Sequence, residues 1–117
     1  MGIVYHANYI RWFEIGRGEY LRQSGIPYAQ IESMGYDFPL TEVSCRYRSP
    51  ARYDEILLLE TELVYMRGAS IKFAYLIHDE KQERVIVEGD SIQACVNKQG
   101  RVVRFPREII DKINPER

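Results

Sequence analysis

The run Met1-Gly2-Ile3-Val4-Tyr5-His6-Ala7-Asn8-Tyr9-Ile10-Arg11-Trp12-Phe13-Glu14 decides how this chain reads. A short loop carrying Gly, His and Asn leads directly into an almost wholly apolar helical pattern. Backbone N–H groups at a helix start lack intrahelical partners and point at whatever lies there. Such a loop can hold an anion or a developing oxyanion. Asn8 fits an N-cap, and Gly25 followed by Pro27 fits a stop, which predicts a helix over 8–24. Tyr9, Phe13, Gly16 and Tyr20 fall on one face, and Ile10, Trp12, Ile15 and Leu21 widen the apolar surface. A helix apolar over so much of its circumference is expected to be enclosed. Gly16 and Gly18 lower helix propensity, so close packing against a sheet is their expected reason. Glu14 stands three residues from both Arg11 and Arg17 and can pair with either.

Outward from the helix the period changes. A short second helix is predicted over 28–33, ending at Gly35. Thr41, Val43, Cys45 and Tyr47 then alternate with Glu42, Ser44, Arg46 and Arg48, the pattern of a strand. Further strands are predicted over 56–66, 71–77 and 85–96, with Gly89 as a bulge. Asn97-Lys98-Gln99-Gly100 turns into a short fifth strand over 101–104, and Pro106 opens a terminal helical turn. One enclosed helix beside a long antiparallel meander means that the sheet curls around the helix, an α+β arrangement.

The bulk numbers narrow the function classes. A chain of 117 residues makes one domain, 1–117, with a core large enough to need no metal or disulfide staple. A net charge of −1 gives no footprint for nucleic acid. Arg46, Arg48, Arg52, Arg67 and Arg84 are interspersed, either as separate solvated side chains or as local phosphate contacts. Nine Tyr, four Phe and one Trp point to an aromatic core or pocket. Cys45 and Cys95 lie fifty residues apart in strand-like runs, with no zinc spacing, and read as buried free thiols in a reducing cytoplasm. No signal peptide and no membrane-length apolar run are legible, so a cytoplasmic protein without membrane insertion is expected.

Gly2-Ile3-Val4-Tyr5-His6-Ala7-Asn8-Tyr9-Ile10-Arg11-Trp12-Phe13-Glu14-Ile15-Gly16-Arg17 resembles the helix-start motif of the hotdog-fold acyl-CoA thioesterases. The resemblance is to the 4-hydroxybenzoyl-CoA thioesterase-like group, which includes the Tol-Pal-associated thioesterases. Residues 47–55, 68–70, 88–97 and 100–106 extend the match over nearly the whole chain. It implies hydrolysis of an acyl-CoA thioester to free acid and CoA, with no cofactor and no metal. It also implies a homodimer joined sheet edge to sheet edge, often paired into a dimer-of-dimers tetramer. The active sites then lie at the dimer interface, with both subunits contributing.

By the same resemblance the His6 backbone N–H polarises the thioester carbonyl, aided by the helix dipole. Thioester hydrolysis also needs a carboxylate, as nucleophile or as general base. The family's Asp falls two residues before the position of Met1, so that Asp and the first strand carrying it are missing from this sequence. Three readings stay open: a natural start further upstream, another carboxylate, or a non-catalytic acyl-CoA or acyl-carrier binding protein of the same fold. The internal substitute is Glu14, since other hotdog thioesterases place a catalytic carboxylate on this helix. Burial in an apolar stretch would raise its pKa, and the plainer reading is an ion pair with Arg11 or Arg17. Tyr5, Asn8, Tyr9 and Phe13 are candidate substrate contacts, with a cap for Asn8 and core packing for the aromatics as competing roles. Arg67 and Ser70 are candidates for CoA phosphate contacts, against an ordinary turn. A hydratase of this fold would want a His within the helix body, which this helix lacks.

Overall fold

The computed structural model describes residues 6–52 and 54–114, with side chains from Tyr9 onward. Helix α1 runs His6–Gln23 and α2 runs Tyr28–Ser33. Four strands follow: β1 Leu40–Tyr47, β2 Leu57–Arg67, β3 Ser70–Asp79 and β4 Val85–Ala94; α3, Arg107–Ile113, closes the described chain. The sheet has the order β1-β4-β3-β2 with every pair antiparallel, so β1 and β2 are its edges. A curled antiparallel sheet with a long helix is the arrangement that the sequence resemblance implies.

Helix α1 lies along one face of the sheet. Tyr9, near its start, packs edge-on against Tyr47 at the end of β1, with ring centroids 5.4 Å apart. Phe13 stacks on Tyr75 of β3 at 4.3 Å, and Tyr20 meets Phe73 at 5.3 Å. Gly16 sits so close to β2 that a Cβ there would come within 2.4 Å of Thr61 Oγ1. These are the four residues that the helical spacing put on one face.

Both helix ends expected at glycines are formed by them. Gly25 has φ +89, its N–H donates to Arg22 O at 3.1 Å, and the Ile26 N–H donates to Leu21 O at 3.1 Å. That is a Schellman closure, with Leu21 and Ile26 both in the core. Gly35 repeats it after α2, with φ +96 and donation from Tyr36 N–H to Ile31 O.

Four expectations need correction. The helix starts at His6, so Asn8 lies in its first turn instead of capping it. The helix is not enclosed within one chain: Arg11, Glu14, Ile15, Gly18 and Glu19 are exposed, Ile15 by 61%. Gly18 accordingly meets nothing within 4 Å. Gly89 sits in unbroken register between Cys45 and Tyr75 and is no bulge. Its reason is crowding, because a Cβ there would lie 2.4 Å from Phe13 Cε2 and 2.5 Å from Ser44 O. Finally, the fifth strand reduces to single bridges, Val96 with Val102 and with Asp37.

Candidate active site

His6 is the first residue of α1, which places its backbone N–H among the donors that an α-helix leaves unpaired. The positive end of the helix dipole is at the same place. Tyr5 lies outside the described residues, and of His6 and Asn8 only the helical backbone is described. Tyr9 is fully buried between Trp12 and Tyr47. Its hydroxyl has no hydrogen-bond partner among the described residues. Burial raises the Tyr9 pKa, and Tyr47, Cys45 and Glu55 add to the effect. The phenol is therefore neutral and able to donate. Phe13 is equally buried, wedged between Tyr75 and Gly89. Both aromatics build the wall behind the helix start.

Glu14 projects from the exposed side of α1. The burial expected for it is not found within one chain. No ion pair to Arg11 or Arg17 forms among the described residues. Arg17 turns inward instead, and its Nη1 donates to the Tyr75 hydroxyl at 3.2 Å. Glu14 lines a cleft of about 350 Å³ with Arg17, Leu21, Phe38, Phe73 and Gln93. The cleft combines the Glu14 carboxylate, without an ion pair among the described residues, with a largely apolar lining.

Gln93 and Arg17 join this cleft to a buried polar row that the sequence reading did not single out. Tyr75 and Ser91 hydroxyls are 2.6 Å apart, and Gln93 Nε2 donates to Ser91 Oγ at 3.2 Å. Desolvation dominates at Tyr75 and raises its pKa despite the bonds from Ser91 and Arg17. The signal was present in β4, where Ser91 and Gln93 occupy alternate positions on the helix-facing side next to Gly89. Polar residues at inward strand positions are unusual enough to demand partners.

Arg67 and Ser70 are brought together as the closing pair of the β2–β3 hairpin. The Arg67 guanidinium lies 4.1 Å over the Tyr65 ring, and Ser70 Oγ is 3.4 Å from the Tyr65 hydroxyl. Ser70 opposes Ala94, the neighbour of Gln93, so this hairpin stands at the cleft end of the sheet, away from the helix start. Among the described residues no cluster of His, Cys, Asp or Glu could hold a metal. Cys45 and Cys95 are both free thiols, Cys45 half-buried and Cys95 buried.

Comparison with known proteins places the site in context. The model of the Thioesterase superfamily matches residues 1–86. The acyl-CoA thioester hydrolase YbgC of Escherichia coli O157:H7 is 30% identical over 96 residues, covering 82% of this chain and 71% of that protein. A crystal structure of the hypothetical protein TT1821 from Thermus thermophilus superposes with a TM-score of 0.90 at 28% identity, covering 100% of this chain and 88% of that one. One from Aquifex aeolicus, the hypothetical protein AQ1494, gives 0.88 at 30% identity and covers 97% and 87%.

Proposed function

The chain belongs to the Thioesterase superfamily, and we propose that it hydrolyses acyl-CoA thioesters to free acid and CoA. The observation that carries the reading is α1, which starts at His6 and carries at Glu14 a carboxylate with no ion pair among the described residues. The hydrolase name of the Escherichia coli relative favours catalysis over mere binding of the acyl-CoA. In this reading the His6 N–H takes the negative charge that grows on the carbonyl oxygen. Glu14 attacks the carbonyl carbon or draws a proton from the attacking water, and CoA leaves as the thiol.

The two groups cannot act on one carbonyl from the same subunit. Glu14 stands eight positions beyond His6 along α1, about 12 Å of rise, while reacting groups must come within about 3–3.5 Å. The working pair is the helix start of one subunit with Glu14 of a second. A two-fold dimer supplies two such sites. The β1 edge supports that assembly, since Leu40, Val43 and Tyr47 are exposed by 45%, 38% and 44%. An unpaired edge with apolar side chains is a template for pairing. Two such dimers would make a tetramer. Tyr5 and Asn8 would bound the thioester end, with the fully buried Tyr9 and Phe13 as the wall behind it, and Arg67 and Ser70 are the proposed contacts for the CoA phosphates. Two free thiols support a reducing, cytoplasmic setting. No described helix is long and apolar enough to cross a membrane.

The test measures thiol released from acyl-CoA by the 117-residue chain. Glu14→Gln is expected to lower kcat about 10²–10⁴-fold. His6→Pro deletes the backbone donor at a position where helices accept proline, and is expected to cost about 10²–10³-fold. Co-refolding the two variants should restore about a quarter of wild-type activity, because half the dimers are mixed and each holds one intact site. Full activity in Glu14→Gln would remove Glu14. A chain that is inert until an Asp is supplied ahead of Met1 would assign the attack to that Asp.

A further inference from the structure

We infer that Tyr75 is a positioning residue for the hydrolysis: by holding the Arg17 guanidinium it keeps the Glu14 carboxylate clear of an ion pair and able to attack. This rests on the reading of Glu14 as the working carboxylate. Glu14 and Arg17 stand three positions apart on α1, with the acid ahead of the base, and both line the same cleft. Neighbours of opposite charge at that spacing on a helix attract one another. Among the described lining residues Arg17 is the one cation and Glu14 the one carboxylate. Yet the two form no ion pair. The cation is engaged elsewhere, since Arg17 Nη1 donates to the Tyr75 hydroxyl at 3.2 Å.

Tyr75 can hold a cation because its own place is fixed. Its ring is buried and stacks on Phe13, with centroids 4.3 Å apart and planes 7° from parallel. Gly89 stands beside it in register and leaves the space that Phe13 fills. The polar row fixes the hydroxyl as well. Arg17 can only donate, so the Tyr75 oxygen accepts from it. The Tyr75 proton then points to Ser91 Oγ, 2.6 Å away, which also accepts from Gln93 Nε2 at 3.2 Å. Desolvation raises the Tyr75 pKa, so the phenol keeps that proton near neutrality.

A released Arg17 would turn to Glu14. The opposite charge favours the ionised carboxylate and so makes it a weaker base. The pair would also occupy oxygens that must face the carbonyl or the attacking water. No other group around Glu14 has this effect. Arg11, on the same helix, is exposed and makes no ion pair among the described residues. From α2 the lining gains Tyr28, and from the strands Leu40, Phe73 and Gln93, none of them a cation.

The test follows the Glu14 carboxyl by NMR titration of isotope-labelled protein, assigned with Glu14→Gln, beside kcat and KM for an acyl-CoA. Tyr75→Phe keeps the ring stack and removes the holding atom. Its Glu14 midpoint is expected to fall by about half a unit to one unit. Its kcat is expected to fall about tenfold with KM within about twofold, and the acid limb of the kcat profile to move to lower pH with the midpoint. Adding Arg17→Met to Tyr75→Phe removes the released cation and is expected to recover most of both. A merely structural role for Tyr75 gives no such recovery, so a double variant as slow as Tyr75→Phe overturns the inference. An unchanged Glu14 midpoint in Tyr75→Phe does so too. Should Tyr75→Phe not fold, Arg17→Met alone decides. A rise of the Glu14 midpoint beyond about half a unit means that the two already pair and overturns the inference; a smaller change supports it. If the midpoints move as expected but wild type releases no CoA, the holding of Arg17 stands and the thioesterase reading falls.

Discussion

Gly89 and Phe13 show how tightly the residue scale is set behind the helix start. The glycine has no room for a methyl group, since Phe13 Cε2 and the Ser44 carbonyl oxygen occupy that space. Gly89→Ala is therefore expected to destabilise by about 1–3 kcal/mol, read as a lowered thermal midpoint. An unchanged midpoint would mean that Phe13 has somewhere to move. Cys95 illustrates the opposite consequence of burial. Desolvation pushes its thiol up to about 11, so little reactive thiolate exists near neutrality. We expect Cys95 to resist a thiol reagent at pH 8 until the protein unfolds, which a reagent titration with and without denaturant checks. The pairing of Gly89 with Phe13 was hidden in the sequence, because the two lie on different elements. The residue type was visible; the neighbour that required it was not.

At the scale of elements, the β3–β4 hairpin and the loop before β2 are tied by carboxylates. Asp79 Oδ1 accepts from the Arg84 N–H at 2.9 Å, and this bond leads in holding its carboxyl below the ordinary value of 3.8. Glu55 accepts from the Arg52 N–H at 2.9 Å and from the Arg84 guanidinium at 2.6 Å. These hold Glu55 below 4.5, with the Arg52 N–H as the larger cause. A carboxyl lowered in the folded state contributes stability that is complete above its unfolded pKa. The contribution is lost as pH falls through the lowered folded value. The affected window is therefore acid, below about pH 4. Thermal midpoints of wild type should drop more steeply there than those of Asp79→Asn or Glu55→Gln. Parallel curves would show that these bonds are not linked to folding. The elements themselves were legible from periodicity and from Gly25 and Gly35 as stops. The ties between them were not, because Arg84 and Glu55 are joined only when the chain folds back.

The whole molecule leaves an apolar strip uncovered along β1 and an uncovered side on α1. The wide apolar surface of the helix was legible in the sequence. The sheet covers one side of it, and a second subunit is the cover we propose for the other. Val43→Lys, on the exposed edge strand, should shift the protein toward monomer in sedimentation or light scattering. Activity should fall with it if the helix start and Glu14 meet across subunits. A monomeric Val43→Lys variant of full activity would place the site within one chain.

The sequence by itself determined the order of the three helices and the four long strands, the buried face of α1, both glycine stops and the family, because periodicity, turn chemistry and the helix-start motif are local. Its family resemblance also offered the His6 backbone as the oxyanion donor and Glu14 as the internal substitute for the family's Asp. Only the tertiary structure decided that Glu14 is exposed and that Arg17 turns inward to Tyr75. It alone joined Ser91 and Gln93 to that arginine across three elements. Those facts depend on which strands become neighbours, and on desolvation that no single segment of chain can impose.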